Sequence, residues 1–180
     1  MGRLIYINGA PGVGKLTIAR NMARLLKARV LDNHAIYNVG FALTDFRSTA
    51  FYEAVRAVRD VAYAQILRLP ENELVILTAA DFADSDWGLE NWQAIRRLAY
   101  HRKWPFFSVS LGCDAAEHRY RIMTAERQER GKLRDADAVT TLSQRPIIRG
   151  EGKQSIELDV TNLAAEDASS YLIEWMANQL

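Results

Sequence analysis

The chain has 180 residues, a length typical of one globular domain, and we expect a single domain over residues 1–180. Hydrophobic residues make up 49% of it and charged residues 25%, which excludes a disordered chain, a collagen-like fibre and a coiled-coil rod. The 23 Lys and Arg residues nearly balance the 22 Asp and Glu residues, so no overall positive charge favours nucleic acid or an anionic membrane as a partner.

The single cysteine, Cys113, excludes an intrachain disulfide and a four-cysteine zinc site. It favours a reducing, cytoplasmic setting. The apolar run at residues 4–7 is too short for a signal sequence, and the other apolar runs are far shorter than the ~20 residues that span a bilayer. We therefore expect a cytoplasmic protein with no membrane partner, whose oligomeric state the sequence leaves open.

Short apolar runs alternate with helical periodicities along the chain. The pattern predicts strands at residues 4–8, 30–32, 74–77, 106–111 and 156–160, and helices at about 15–27, 50–69, 87–102, 114–123 and 164–178. Between residues 33 and 48 we expect a loop, with Ser48 or Thr49 capping the next helix and Asp86 capping the one at residue 87. This alternation predicts an α/β fold in which helices cover both faces of a parallel sheet.

The most specific motif follows the first predicted strand and opens the first predicted helix. It matches the G-x-x-x-x-G-K phosphate-binding loop and consists of Gly9, Ala10, Pro11, Gly12, Val13, Gly14 and Lys15. Glycines let successive backbone N–H groups turn toward one anion, and the helix N-terminus adds partial positive charge there. We expect Lys15 to reach the β- and γ-phosphates of a nucleotide. A plain glycine-rich turn with a surface lysine is the alternative.

The residue after the lysine departs from this motif. A Ser or Thr usually stands there and ligates Mg²⁺ through its hydroxyl, whereas this chain has Leu16. The next residue, Thr17, is rotated about 100° around the helix. We count Leu16 and Thr17 as nucleotide-site residues by position, but we expect no direct metal ligand from the hydroxyl position. Magnesium would then be held by substrate phosphates, or through water by Asp32 or Asp81.

With these features, the chain resembles the P-loop small-molecule kinases related to adenylate, shikimate and gluconate kinases and chloramphenicol phosphotransferase. The resemblance covers nearly the whole chain and depends mainly on the phosphate loop, an Asp ending the second strand and an Arg-rich segment after the fourth. It implies a three-layer P-loop NTPase fold with a five-stranded parallel sheet in the order 2-3-1-4-5 and a mobile lid. ATP and Mg²⁺ are the cofactors that it implies.

Asp32 stands at the carboxyl end of the second strand, the edge at which open α/β sheets bind ligands. The resemblance implies that an acidic residue here faces the acceptor hydroxyl, whose proton it would accept, or a metal-bound water. A helix cap or turn residue is the alternative for Asp32. His34 is a candidate second base or substrate contact, although a lone loop histidine is more often neither.

The acceptor site of such kinases lies between the second strand and the long helix. Tyr37 and Arg47 fall there, and an arginine would pair with an acceptor carboxylate or phosphate. Asp81 follows the third strand and would orient Mg²⁺ or the acceptor hydroxyl. Arg145 loosely resembles the arginine that holds the carboxylate in shikimate kinases, which makes an anionic acceptor one option.

Residues 118–134 carry six Lys or Arg residues against two Glu residues. This segment resembles the kinase lid, which we place at about 124–135. By position, Arg121 resembles the residue that packs on adenine, and Arg127 or Arg130 the lid arginine that reaches the γ-phosphate. A solvated helix is the alternative. Thr161 and Asn162 stand where the resemblance places the lining of the adenine pocket.

Several large side chains occur at spacings that predict core packing rather than a site. They are Met22, Trp87, Trp92, Met123, Trp175 and Met176, and Cys113 is expected to be a small buried residue beside them.

Two functions follow from these patterns. The first is an ATP-dependent kinase that phosphorylates a hydroxyl of a small metabolite or antibiotic. The second, favoured by Leu16, is a nucleotide-binding regulatory module with little or no turnover. A nucleic-acid kinase is disfavoured by the near-neutral charge, so we expect a small-molecule partner.

Overall fold

The computed structural model describes residues 2–123, 141 and 144–179, and the expected lid with Arg127 and Arg130 lies outside these residues. Five parallel strands form one sheet in the order β2-β3-β1-β4-β5, which confirms the expected topology. Each strand overlaps its predicted position, and their bounds are β1 (Arg3–Gly9), β2 (Arg29–Leu31), β3 (Leu74–Ala79), β4 (Phe106–Gly112) and β5 (Ser155–Asp159).

Six helices surround the sheet within the described residues. They are α1 (Lys15–Leu26), α2 (Asn33–Leu43), α3 (Thr49–Leu67), α4 (Asp86–Arg102), α5 (Ala115–Met123) and α6 (Ala165–Ala177). None of these described helices combines the length and apolar character that crossing a bilayer requires. The expected cytoplasmic location stays a prediction.

The two faces of the sheet are buried against different helices. Alternate residues of β1 point to opposite sides, so Ile5 and Ile7 pack toward α1 and α6 while Leu4 and Tyr6 pack toward α3 and α4. All four are completely buried. The central strands β1, β3 and β4 are therefore mostly apolar on both faces, which explains why they read as short continuous apolar runs.

The prediction of a loop between the second strand and the long helix is wrong, because α2 occupies most of this segment. Its buried residue Ile36 packs on Phe51 and Val55 of α3. Gly40 permits this approach, since a Cβ at this position would lie 2.9 Å from the Phe51 ring. Tertiary packing thus stabilises a segment whose local composition, with a central glycine, is a poor helix signal.

The helix caps divide between confirmed and corrected predictions. Ser48 caps α3, where its hydroxyl accepts a hydrogen bond from the N–H of Phe51 at 3.1 Å. Asp86 does not cap α4. Ser85 does so, accepting from the N–H of Gly88 at 3.3 Å, and Asp86 lies in the first turn. A hydroxyl and a carboxylate are comparable caps, so Ser85 at the preceding position takes the role that the sequence analysis gave to Asp86.

The predictions for the large side chains also divide. Met22 and Met176 are buried, Trp175 packs on the same core and Trp92 packs against the core on the other face. Met123 is 62% exposed, so its assignment to the core is wrong. It stands at the last residue of α5, where only part of the helix surface is covered.

The chain returns to the sheet edge just before β5. Phe82 forms an antiparallel bridge with Ile147, the N–H of Ile148 donates to the carbonyl of Asp81 at 2.9 Å, and the N–H of Ala83 donates to Pro146. This pairing brings the segment at residues 145–148 beside the chain that leaves β3.

Gly88→Ala should destabilise the protein by about 1–3 kcal/mol, because the new Cβ would overlap the carbonyl oxygen of Phe82, a backbone atom that cannot move freely. Gly112→Ala is the matched control, since a Cβ there would meet nothing within 4 Å. Urea unfolding of both variants measures the difference. Equal stability of the two variants would contradict the tight packing of the α4 N-terminus on residue 82.

Candidate active site

The phosphate loop has the backbone geometry that its motif requires. Gly12 and Gly14 adopt φ angles of 104° and 103°, a region that other residues rarely occupy. A Cβ on Gly9 would lie 2.7 Å from the carbonyl oxygen of Leu111. The three glycines therefore allow the chain to turn sharply from β1 into α1, with Gly14 at the N-cap of the helix.

Lys15 folds back beneath this loop. Its Nζ donates hydrogen bonds to the carbonyls of Gly9 at 2.7 Å and Ala10 at 2.9 Å, and the residue is only 9% exposed. The ammonium group and the N-terminus of α1 thus place positive charge at one point, which suits an anion. A phosphate contact by Lys15 stays a prediction.

Two side chains of α5 hold the loop in place. Arg121 donates to the carbonyl of Val13 at 3.0 Å and to that of Val160 at 2.6 Å, and it pairs with Glu117. The ring Nε2 of the buried His118 lies 2.7 Å from the carbonyl oxygen of Pro11. Sequence reasoning missed His118, although its position three residues before Arg121 places both on one face of a helix.

A cleft of about 1500 Å³ begins at this loop and extends to α2, α3 and the start of α4. Pro11, Gly12, Gly14, Lys15, Leu16 and Thr17 line it from the loop side. Asp32, His34, Tyr37, Arg47 and Arg145 line it farther along, with Arg121 near β5. One cavity thus contains the phosphate loop and most of the predicted acceptor residues.

Asp32 lies at the junction of these two regions. Its Oδ1 accepts a hydrogen bond from the Thr78 hydroxyl at 2.6 Å, and the same hydroxyl oxygen accepts from the N–H of Asn33 at 3.3 Å. The residue occupies the N-cap position of α2, but its side chain makes no capping hydrogen bond. The carboxylate is therefore oriented by β3 rather than by its own helix.

Asp81 lies in a different environment from the one expected. It is 2% exposed and is not among the described residues that line the cleft. Its Oδ2 accepts hydrogen bonds from the Tyr6 hydroxyl at 2.8 Å and from Asn91 at 2.7 Å. Burial raises the pKa of the Asp81 carboxyl to about 6, against the lowering effect of these two donors. The structure thus favours a buried structural position over direct contact with substrate.

The part of the cleft that holds the predicted acceptor residues combines two arginines with aromatic side chains. Arg145 forms a bidentate ion pair with Asp84, with one nitrogen–oxygen distance of 2.6 Å, and lies 4.3 Å from the Phe82 ring centre. The Arg47 guanidinium lies 5.1 Å from the ring centre of Phe46. Arg145 therefore lines the cleft, as expected, but its charge is already paired with that of Asp84.

Further residues line this part of the cleft beside the arginines. His34 lies 6.3 Å from Phe41, ring centre to ring centre. The Tyr37 hydroxyl accepts a hydrogen bond from the indole N–H of Trp87. Trp87 packs against the buried residues of α2 and α3, as predicted, and it also lines the cleft. Its position at the first turn of α4, beside the carboxyl edge of the sheet, was the signal available in the sequence.

The sequence analysis placed Thr161 and Asn162 at the pocket for the adenine base, but other residues line the cleft near β5. Val160, Leu163 and Ala165 line the cleft near β5, together with Arg121. Thr161 and Asn162 are not among the described lining residues. The Thr161 hydroxyl instead accepts a hydrogen bond from the N–H of Asp114 at 2.8 Å, and Asn162 is exposed. Three apolar residues thus line the cleft beside these two polar ones, and contact of Thr161 or Asn162 with a base stays a prediction.

The residues present fit a phosphate better than they fit a metal ion. Leu16 lines the cleft but has no oxygen to offer. Among the residues that the structure describes, no three His, Cys, Asp or Glu side chains gather as a metal site. Asp32 is the carboxylate of the predicted pair that reaches the cleft, so magnesium would depend on Asp32, water and substrate phosphates.

The buried position of Asp81 predicts a pH-dependent stability. Because the folded-state pKa is raised above the unfolded value, the protonated form favours folding, and this contribution is lost as the pH rises through about 6. Asp81→Asn keeps the acceptor oxygen but does not titrate. Relative to wild type, the variant should therefore gain about 2 kcal/mol of unfolding free energy between about pH 4.5 and about pH 7.5.

Urea unfolding of both proteins at the two pH values measures this change, and groups that titrate equally in both cancel. If the difference in unfolding free energy between the two proteins is the same at both pH values, Asp81 does not bind a proton more tightly in the folded state.

We compared the chain with known protein families, sequences and structures. No family model matches the chain, and no curated protein sequence matches it significantly. Several solved structures, in contrast, match nearly the whole chain. The APS kinase of Mycobacterium tuberculosis, solved with AMPPNP and APS, is 18% identical with a TM-score of 0.64, and the match covers 98% of each chain.

Two further solved structures resemble this chain to a similar degree. A gluconokinase from Sinorhizobium meliloti is 11% identical with a TM-score of 0.64 over 98% of this chain and 93% of its own. The tunicamycin resistance protein of Deinococcus radiodurans is 14% identical with a TM-score of 0.61 over 98% and 96%. Together with the strand order and the phosphate loop, these matches show that the chain has the fold of the P-loop kinases.

Proposed function

We propose that the protein is an ATP-dependent phosphotransferase that acts on a hydroxyl of a small molecule. The observation that carries the proposal is a single cleft that joins the phosphate loop to Asp32 and the acceptor residues beyond it. Structural neighbours with kinase activity in their names support the same reaction class. Neither nucleic acid nor a membrane has a part in this proposal.

In the proposed reaction, the acceptor hydroxyl oxygen forms a bond to the γ-phosphorus of ATP. The bond between the γ-phosphorus and the bridging oxygen breaks, and ADP leaves with that electron pair. Asp32 accepts the hydroxyl proton, and its hydrogen bond from Thr78 holds the carboxylate in one orientation. Lys15 and the N–H groups of the loop would stabilise the charge on the phosphate oxygens.

The other cleft residues would bind and orient the nucleotide. Val160, Leu163 and Ala165 provide an apolar surface for the base, and Arg121 joins this surface to the phosphate loop by its two backbone hydrogen bonds. Magnesium, when bound with the nucleotide, would neutralise phosphate charge. Asp32 is the described residue best placed to hold it through water. Arg127 and Arg130 remain proposed lid residues.

A nucleotide-binding regulatory module is the second candidate, and Leu16 favours it. This side chain stands in the cleft where a hydroxyl would ligate magnesium, so the chain lacks one direct ligand for the metal. Weak magnesium binding would slow phosphoryl transfer more than it would weaken nucleotide binding. The two candidates therefore differ in turnover, and both require the phosphate loop.

Asp32→Asn should lower phosphate transfer at least about 100-fold while leaving ATP affinity within about 2-fold, because the amide keeps the Thr78 contact but cannot accept the proton. The measurement is ADP release and phosphorylated product across a panel of hydroxylated acceptors. Asp60→Asn on the exposed surface of α3 is the matched control. Full transfer by Asp32→Asn would exclude the base role, and no transfer by wild type with any acceptor would favour the regulatory module.

A further inference from the structure

One part of the cleft lining is strongly aromatic. Six rings from α2, α3, α4 and the α2–α3 loop line it: Tyr37, Phe41, Phe46, Phe51, Tyr52 and Trp87. Neighbouring ring centres lie 5.0–6.3 Å apart in tilted or edge-to-face arrangements. These six residues form what we call the aromatic wall. Such a continuous surface offers a flat ligand several ring faces and edges.

Part of this wall is exposed to water. Phe46 is 61% exposed and Phe41 is 47% exposed, although both contact the buried Phe51 at ring-centre distances of 5.3 Å. Burying two phenylalanines more deeply would be favourable, and their exposure on the same cavity is a common sign of a ligand-binding surface. Both rings line the cleft together with Arg47.

The inner part of the wall is held rigidly. The indole N–H of Trp87 donates to the Tyr37 hydroxyl, and its ring lies 5.2 Å from the guanidinium carbons of Arg56 and Arg59. Glu90 binds both arginines, at 2.7 Å and 2.8 Å, which fixes them against the indole. A ring positioned in this way loses little freedom when a ligand packs on it.

Charge in this part of the cleft is partly cancelled. Arg145 is paired with Asp84, so an anionic acceptor would have to replace a bidentate contact to use it. Asp32 adds a negative charge, and Arg47 adds a positive one. The surroundings therefore do not select strongly for an anionic acceptor, which was one option raised by the sequence.

We infer that the acceptor carries its hydroxyl on a group attached to a flat, uncharged, unsaturated ring, and that the ring packs on the aromatic wall while the hydroxyl lies toward Asp32. The inference rests on the proposed function for the direction of the hydroxyl, but the ring preference follows from the wall itself. Aryl glycosides and pyrimidine nucleosides share this chemistry. Small sugars and sugar acids lack it.

Matched pairs of probes test the ring preference by calorimetry, with AMPPNP at saturation so that the nucleotide region is filled. Phenyl β-glucoside is compared with methyl β-glucoside, and uridine with methyl β-riboside. At least one ring-bearing probe should bind about 10-fold or more tightly than its partner, because a stacked ring adds favourable contact without a new charge. The pair that shows the preference identifies which of the two sources fits.

Phe46→Ala should remove most of that preference, and its exposure means that the fold does not depend on it. Tyr100→Ala is the matched control, since this ring is 81% exposed on α4 and does not line the cleft. Trp87→Phe provides a second readout. The ring-bearing probe should change the tryptophan fluorescence of wild type, and this change should be absent from Trp87→Phe, because the other three tryptophans pack in the cores.

Equal affinity within both pairs, or no binding by either ring-bearing probe, would overturn the inference, as would a preference that Phe46→Ala leaves intact. Failure of the proposed function has a different signature. It would appear as a lack of AMPPNP binding, measured before any probe is added, or as transfer from ATP to no acceptor. Transfer to methyl β-glucoside and phenyl β-glucoside with equal efficiency would keep the kinase and reject the ring preference.

Discussion

The side chain of Asn8 joins the three chain segments on which the cleft depends. It is completely buried at the end of β1, one residue before the phosphate loop. Its amide donates to the carbonyls of Asp81 at 2.9 Å and Ile148 at 2.8 Å, and its oxygen accepts from the N–H of Asp81 at 2.8 Å. In a buried site these polar groups must all be satisfied, so the three segments hold one arrangement.

The functional geometry follows from this junction. Asn8 ties the end of β1 to the other two segments, one residue before the phosphate loop in which Gly12 and Gly14 make the turn. Through Ile148 it also holds the returning segment that carries Arg145 to Asp84. Asp81 belongs to the same junction, and its carboxyl is buried there. Its position after β3 suggested a substrate-binding residue, but this burial keeps the side chain out of the cleft.

The sequence predicted those features that local patterns determine. Alternating apolar runs located all five strands, and the glycine spacing located the phosphate loop, because both depend on neighbouring residues. The pattern did not predict α2, whose stability comes from packing on Phe51 and Val55 of α3. Nor did it predict that Trp87 faces the cleft or that Asp81 is buried, since both depend on how distant segments pack.

The same division applies to the proposed chemistry. Asp32 follows β2 and the phosphate loop follows β1, with β3 between these two strands in the sheet, and their residue types suggest their roles directly. The aromatic wall is assembled from two helices, a loop and the start of a third helix, so no single sequence window reveals it. Residues that recognise the acceptor are accordingly harder to predict than those that bind phosphate.

The central claim is that this cleft binds a nucleotide through its phosphate loop in a form competent for transfer. Calorimetric titration of ATP, with magnesium and with chelator, tests it most directly in wild type and Lys15→Ala. The account predicts micromolar binding that magnesium strengthens and that Lys15→Ala weakens at least about 100-fold, because the ammonium group buried beneath the loop is lost. Binding that is absent from wild type, or equal in the variant, would contradict it.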